Sequence, residues 1–317
     1  MSQSLHPQVE ALLAGVLKPP ATPVAPTVEG VRAGHIHLSE MLAGPGEPVF
    51  RVWNETVTTE HGRVPVRWYL PSPEATMLLV YVHGGGWATG TLDSYDTLCR
   101  ALALRSGVLV MSVAYSLSPE AAQPLALQQV ADIFRSARTL AADAGYTVRK
   151  LAAAGDSSGG HLIAAALDQM LAAEEKTLDA TVLLYPVLDA TMNSESFREF
   201  ATGYQLTAER MRWFWELYLG ASLDTLAGSL NDSQISPLYS QQLAWFPKTM
   251  IVTAAFDPLR DEGAALAQRL AEAGAPVEYL NVPGQIHGFM RFRGSMTDPE
   301  WGVDAVLRRI GAFLQTV

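Results

Sequence analysis

The 317-residue sequence has a single cysteine, Cys99, which rules out an internal disulfide framework and fits a reducing, cytoplasmic compartment. It has no apolar run near the roughly 18 residues of a membrane span. It is also poor in charge. Asp, Glu, Lys and Arg make up 17% of the chain, below the roughly 25% usual for soluble domains. Basic residues are the scarcer sign, 22 against 32 acidic ones, giving a net charge of −10 and a pI near 5.2. That argues against nucleic acid or an anionic membrane surface as the main partner, since both call for a basic face. No Lys or Arg precedes the first apolar stretch, Leu12 to Leu17, so the N-terminus does not read as a signal peptide. What the chain does have is apolar residues, 49% of the total, enough to bury a large core.

Periodicity organises the rest. Leu5 to Leu17 has helical spacing, ended by Lys18, Pro19 and Pro20; Ala21 to Pro26 reads as a loop and Thr27 to Leu42 as a second helix. Val49 to Trp53 and Val64 to Leu70 read as strands, and Pro65 predicts that the second is an edge strand. From Met77 a strand–helix alternation begins. Strands are expected at Met77–Val82, Val108–Val113, Leu151–Ala154, Thr181–Tyr185, Thr249–Ala254 and Val277–Val282. Helices are expected at Leu92–Arg105, Gln123–Ala144, Ser158–Glu175, Asp261–Ala273 and Trp301–Leu314. Alternation of this kind predicts an α/β fold, a mostly parallel sheet flanked by helices. The stretch from Asp189 to Ala244 breaks it. That stretch is aromatic (Phe197, Phe200, Tyr204, Trp213, Phe214, Trp215, Tyr218, Tyr239) and holds a helix at Thr207–Leu219 with Thr207 as N-cap. It reads as an insertion over the sheet, with ordinary core helices as the alternative.

Two glycine-rich segments follow strands. Gly155-Asp156-Ser157-Ser158-Gly159-Gly160 contains G-x-S-x-G between a strand and a helix, where a tight turn projects the serine hydroxyl outward. His83-Gly84-Gly85-Gly86-Trp87 offers backbone N–H groups with no side chain in the way, as a developing oxyanion needs. Neither G-x-x-x-x-G-K-[ST] nor G-x-G-x-x-G occurs, so nucleotide binding has no support here.

A serine nucleophile needs a base. His6, His35, His37 and His61 lie outside the alternating pattern, and His35-Ile36-His37 has no carboxylate or cysteine cluster to make it a metal pair. His83 belongs to the glycine loop, and His161, four residues after Ser157, points back under the turn. That leaves His287, just past a strand, on the sheet edge where such folds bind ligands. For the orienting acid, Asp257 follows the preceding strand, and Pro258 keeps it out of helical geometry. Asp261 and Glu262 open the next helix, where acids suit the dipole; the reverse assignment, Asp261 for Asp257, stays open. Cys99 has no base partner in sequence and reads as a buried small residue.

At this point the chain resembles the hormone-sensitive-lipase-like, or family IV, esterases of the α/β-hydrolase fold. The resemblance rests on His83–Trp87 (HGGGW), Tyr115–Glu120 (YSLSPE against a usual YRLAPE), Gly155–Gly160 (GDSSGG against GDSAGG), Tyr185-Pro186 with Asp189, Asp257–Gly263 (DPLRDEG) and His287-Gly288-Phe289. It implies carboxylesterase action on small esters with no metal or cofactor, and oxyanion donors at Gly85, Gly86 and Ser158. It also implies a helical cap from the N-terminal helices plus an insertion after the sixth strand. The expected division is a core of residues 46–189 and 236–317, with a cap of residues 1–45 and 190–235. Trp87, Tyr204, Trp213 and Phe214 are candidate pocket residues. Two departures stand out. Ser116 replaces an arginine, removing any ion pair that residue makes, and Ser158 replaces an alanine, adding a hydroxyl beside the nucleophile.

The reading is therefore a serine carboxylesterase with Ser157, His287 and Asp257 as its triad, acting on short-to-medium acyl esters through an acyl-enzyme. Amide deacetylation and lactone hydrolysis need the same apparatus and stay open, as does a homodimer. A non-catalytic receptor is the rival from another class, since plant gibberellin receptors resemble this family. Such a receptor is expected to have lost a triad member, and all three are present here. A metallohydrolase lacks a ligand cluster in the sequence.

Overall fold

The computed structural model describes residues 4–19 and 25–317. Most of the loop expected over 21–26 thus lies outside the described residues. Eight strands form one sheet: β1 (Arg51–Thr59), β2 (Gly62–Leu70), β3 (Met77–Val82), β4 (Leu109–Val113), β5 (Lys150–Asp156), β6 (Ala180–Leu184), β7 (Lys248–Phe256) and β8 (Val277–Ile286). Their spatial order is β1-β2-β4-β3-β5-β6-β7-β8. β2 runs against both its neighbours, and all pairs from β4 through β8 are parallel.

The continuous apolar runs arise because both sheet faces are covered. Alternation along β3 sends Leu78, Val80 and Val82 into one core and Met77, Leu79 and Tyr81 into the other. The first core is closed by α4 (Leu125–Asp143), α5 (Ser158–Ala172) and α8 (Arg260–Glu272), the second by α3 (Asp96–Ser106) and α9 (Val303–Leu314). The N-terminal helices α1 (Pro7–Ala14) and α2 (Val28–Leu42) precede the sheet, and Thr27 caps α2 by accepting from the Gly30 N–H.

Among the elements that differ from the sequence reading, such as β1 at Arg51–Thr59 against Val49–Trp53, three have a clear physical reason. β2, which carries Pro65, is an interior strand. The Pro65 carbonyl accepts from Ala114, so its nitrogen, which has no proton, also faces that side, just past the end of β4. α3 starts at Asp96 rather than near Leu92, because Thr91 and Ser94 bind each other's amides in a turn of their own. β8 continues past Val282 through an irregularity. Ala254 pairs with Val282 but Phe256 pairs with Ile286, so the register shifts by two residues. The extra residues include Pro283 and Gly284, the latter at φ +69°.

The segment between β6 and β7 holds α6 (Glu195–Glu199) and α7 (Ala208–Leu219). Thr207 caps α7, and Met211, Phe214, Trp215 and Tyr218 form its buried face at helical spacing. The two ends of this segment are stitched together: Leu238 N–H donates to the Leu188 carbonyl at 3.1 Å, and Ala190 N–H to Ser236 Oγ at 2.8 Å.

Candidate active site

The carboxyl ends of β3, β5, β7 and β8 bring the sequence-singled residues to one edge of the sheet. Ser157 sits between β5 and α5 at φ 54°, ψ −120°, a conformation L residues rarely adopt. The turn closes tightly on β3, for a Cβ at Gly155 would lie 2.7 Å from the Val82 carbonyl, and one at Gly159 would run into the same oxygen. The register shift in β8 sets the partner. With Phe256 beside Ile286, the next residues of the two parallel strands, Asp257 and His287, stand side by side. Without the shift Asp257 would face Gln285.

The result is a continuous hydrogen-bond chain. His287 Nδ1 lies 2.8 Å from Asp257 Oδ2, and His287 Nε2 lies 2.9 Å from Ser157 Oγ. Asp257 is fully buried, and its other oxygen accepts from the Leu259 N–H at 2.9 Å. A carboxylate on Nδ1 holds the proton there and leaves Nε2 free to take the serine proton. The Tyr185 ring stands edge-on to His287 at 4.9 Å. Asp261 is elsewhere engaged, accepting from the Ser196 N–H at 2.8 Å and pairing with Arg260.

The glycine loop lies opposite. Gly85 and Gly86 have positive φ, 118° and 59°. The N–H groups of Gly85, Gly86 and Ser158 have no hydrogen-bond acceptor among the described residues. Gly84 N–H is held by Asp156 Oδ1 at 2.8 Å, and that buried carboxylate also accepts from the hydroxyls of Tyr81 and Tyr95. The sequence reading passed over this aspartate. Its one signal was its place between Gly155 and Ser157.

The four pocket candidates part company. Trp87 has no solvent exposure; its ring stacks on Tyr218 and meets Trp215, both at 4.5 Å, and its Nε1 donates to His161. Its ring packs against α7, on a left-handed backbone at φ 56°. Phe214 lies flat against the loop, where its ring occupies the space a Cβ on Gly86 would need. Trp213 is half-buried beside it at 5.1 Å. Tyr204 packs on Phe200 and Phe256, at 5.2 and 5.6 Å.

Other expectations change in detail. Glu262 opens α8 with Asp261 as expected, but not at the surface. It is buried, accepts from Leu188 and Asp189 N–H groups at 2.6 and 3.1 Å, and burial holds its pKa well above the usual carboxyl range. Glu120 is gripped by Arg32 of α2 at 2.7 and 2.8 Å; that hydrogen-bonded ion pair holds the carboxyl down to about 2. Arg32 also donates to the Ala88 and Ser118 carbonyls, just past the glycine loop. His35 is buried against Thr89 Oγ1 at 3.1 Å. A His–carboxylate group does exist, Glu60 and His61 at the β1–β2 turn with Asp132 of α4. There Asp132 is already bound by His61 Nδ1 and Arg135, and the group shares no hydrogen bond with the triad residues.

A profile of the alpha/beta hydrolase fold matches residues 79–291. The chain is 33% identical over 282 residues to an ethyl acetate hydrolase of Pseudomonas putida, covering 87% of each. It is 37% identical over 259 residues to a carboxylic ester hydrolase, LipN, of Mycobacterium tuberculosis, covering 80% of this chain and 68% of the other. The crystal structure of a thermostable esterase from Pseudomonas putida superposes with a TM-score of 0.89 at 27% identity, over 98% of this chain and 97% of that one. A hyperthermophilic esterase from Pyrobaculum calidifontis superposes with a TM-score of 0.87 at 30% identity, over 99% and 98%.

Proposed function

The chain belongs to the α/β-hydrolase fold family, among its hormone-sensitive-lipase-like carboxylic ester hydrolases, and from that premise we propose that Ser157, His287 and Asp257 cleave short-to-medium acyl esters. The observation that carries the assignment is the Asp257–His287–Ser157 chain at 2.8 and 2.9 Å, with three amides of the glycine loop and serine turn that have no acceptor among the described residues.

Ser157 Oγ attacks the ester carbonyl as its proton passes to His287 Nε2. The carbonyl oxygen, now negative, takes hydrogen bonds from the Gly85, Gly86 and Ser158 amides. Asp257 keeps the imidazole in the Nδ1–H form and stabilises the imidazolium. The C–O bond to the alcohol breaks, and His287 Nε2–H returns the proton to the departing oxygen. Water, deprotonated by the same nitrogen, then attacks the acyl-enzyme, and Ser157 recovers its proton as the acid leaves.

Helices α1 and α2 with residues 190–235 act as the cap in this proposal. Phe214 against Gly86 and Arg32 on the Ala88 carbonyl support it, because both bring that cover onto the oxyanion loop. The names of the relatives favour esters over amides or lactones as substrates. A cytoplasmic location and a homodimer complete the proposal. A single cysteine, Cys99, with no second to pair with suits the first, and size-exclusion chromatography with light scattering decides the second.

The test is hydrolysis of p-nitrophenyl acetate and butyrate beside a Ser157→Ala control. Replacement is expected to lower kcat by roughly 10⁴–10⁶-fold in a folded protein. An organophosphate should label Ser157 alone; labelling of Ser158, or full activity in the variant, overturns the assignment.

A further inference from the structure

The two neighbours of Ser157 in the chain reach the same loop from two sides. Asp156 Oδ1 takes the Gly84 N–H at 2.8 Å. Ser158 Oγ takes the Trp87 N–H at 3.1 Å. Gly85 and Gly86 lie between these two bound amides, and their own N–H groups have no acceptor among the described residues. The loop's carbonyls are held as well, His83 by the Tyr115 hydroxyl at 2.9 Å and Gly85 by Ala88 and Thr89 N–H groups. Ser158 has no solvent exposure, and the Tyr115 hydroxyl lies beside it.

We propose that the Ser158 hydroxyl is a positioning group for the oxyanion hole, fixing the glycine loop against the nucleophile turn by holding the Trp87 amide. One residue then governs both walls of the hole, its own N–H forming one and its side chain registering the other. This matters because hydrogen bonds to a developing oxyanion are worth most when the donors need no rearrangement. Trp87 carries a left-handed backbone at φ 56°, so its amide direction needs an outside partner to hold it. Alanine at position 158, the residue usual in the motif, keeps the backbone donor but leaves the Trp87 N–H without its acceptor. The inference rests on the proposed roles of Ser157 and the three amides.

The experiment compares wild type, Ser158→Ala and Ser157→Ala on p-nitrophenyl butyrate and with an alkyl trifluoromethyl ketone. The ketone adds Ser157 Oγ to its carbonyl carbon, sends the serine proton to His287 and places an oxyanion in the hole. In Ser158→Ala, kcat is expected to fall about three- to tenfold, the worth of one hydrogen bond, with KM within twofold. The ketone inhibition constant should rise by the factor that kcat/KM loses. Protein labelled with ¹⁵N-tryptophan should show faster exchange of the Trp87 amide. A folded Ser158→Ala enzyme with kcat and ketone affinity within twofold of wild type overturns the inference, as does a change confined to KM. Retained activity in Ser157→Ala refutes the triad assignment instead.

Discussion

Trp87 and His161 meet edge-on, their ring planes at 86°, with the indole Nε1 donating to His161 Nδ1 at 3.2 Å. The other imidazole nitrogen lies 3.0 Å from the Ile235 carbonyl and therefore carries the proton. A second proton on Nδ1 would face the indole N–H head-on. Burial accordingly pushes the His161 pKa down to about 4.

An unfolded histidine titrates near about 6.5, so between those values the unfolded chain binds a proton that the folded one refuses. The stability is complete above about pH 6.5 and drains as pH falls toward about 4, by up to about 3 kcal/mol. His35, also depressed by burial, adds in the same direction. His161→Gln is expected to flatten part of the acid limb in a plot of Tm against pH. An unchanged slope refutes this.

Asp257→Asn keeps the shape but presents a donor to His287 Nδ1, which favours the wrong tautomer. A loss of about 10⁴-fold in kcat is expected. Asp261→Asn weakens the bond to Ser196 and the pair with Arg260, costing about 1 kcal/mol of stability with little change in rate. Parallel kinetics and thermal melts separate the two, and a crippled Asp261→Asn would reverse their roles.

Phe214 sets the room beside Gly86. Phe214→Ala should move the optimum in a p-nitrophenyl ester series toward longer acyl chains. Each newly accommodated methylene is worth about 0.8 kcal/mol, roughly fourfold in kcat/KM. Wild type should peak near butyryl or hexanoyl and decline beyond. A wild-type rate that climbs through palmitoyl esters, or an unmoved optimum in the variant, contradicts the placement.

Glu262 makes the opposite pH signature to His161. Burial raises its folded pKa, so its contribution is complete below the unfolded value and is lost as pH rises toward the folded one. Glu262→Gln keeps an oxygen for Leu188 and Asp189 and removes the titration. The Tm of the variant relative to wild type should therefore increase as pH rises above the unfolded carboxyl value of about 4.3. A constant difference counts against a protonated carboxyl.

The alternation of strands and helices was legible because a sheet covered on both faces leaves uninterrupted apolar runs such as Met77–Val82. The residues of the glycine loop and serine turn were legible because their backbones need glycine. Ladder registers leave no such mark. Nothing in the composition of Val277–Ile286 announces that Pro283 and Gly284 shift it by two residues, and that shift sets His287 beside Asp257. Pro65 misled because the rule against interior proline is a rule about one missing N–H, and β4 stops short of it. The packing of Trp87 on Tyr218 and Trp215 was not legible either, because adjacency to a glycine loop says nothing of which way a ring turns.

The stitch between Leu188 and Leu238 closes the excursion from β6 to β7 at its base. Length added or removed beyond that stitch alters only a loop already shut, and closure entropy grows slowly with loop length. The entropy of closing the chain therefore sets no narrow limit on the length of 190–236, and Ser157, His287 and Asp257 are all held by strand ends outside it.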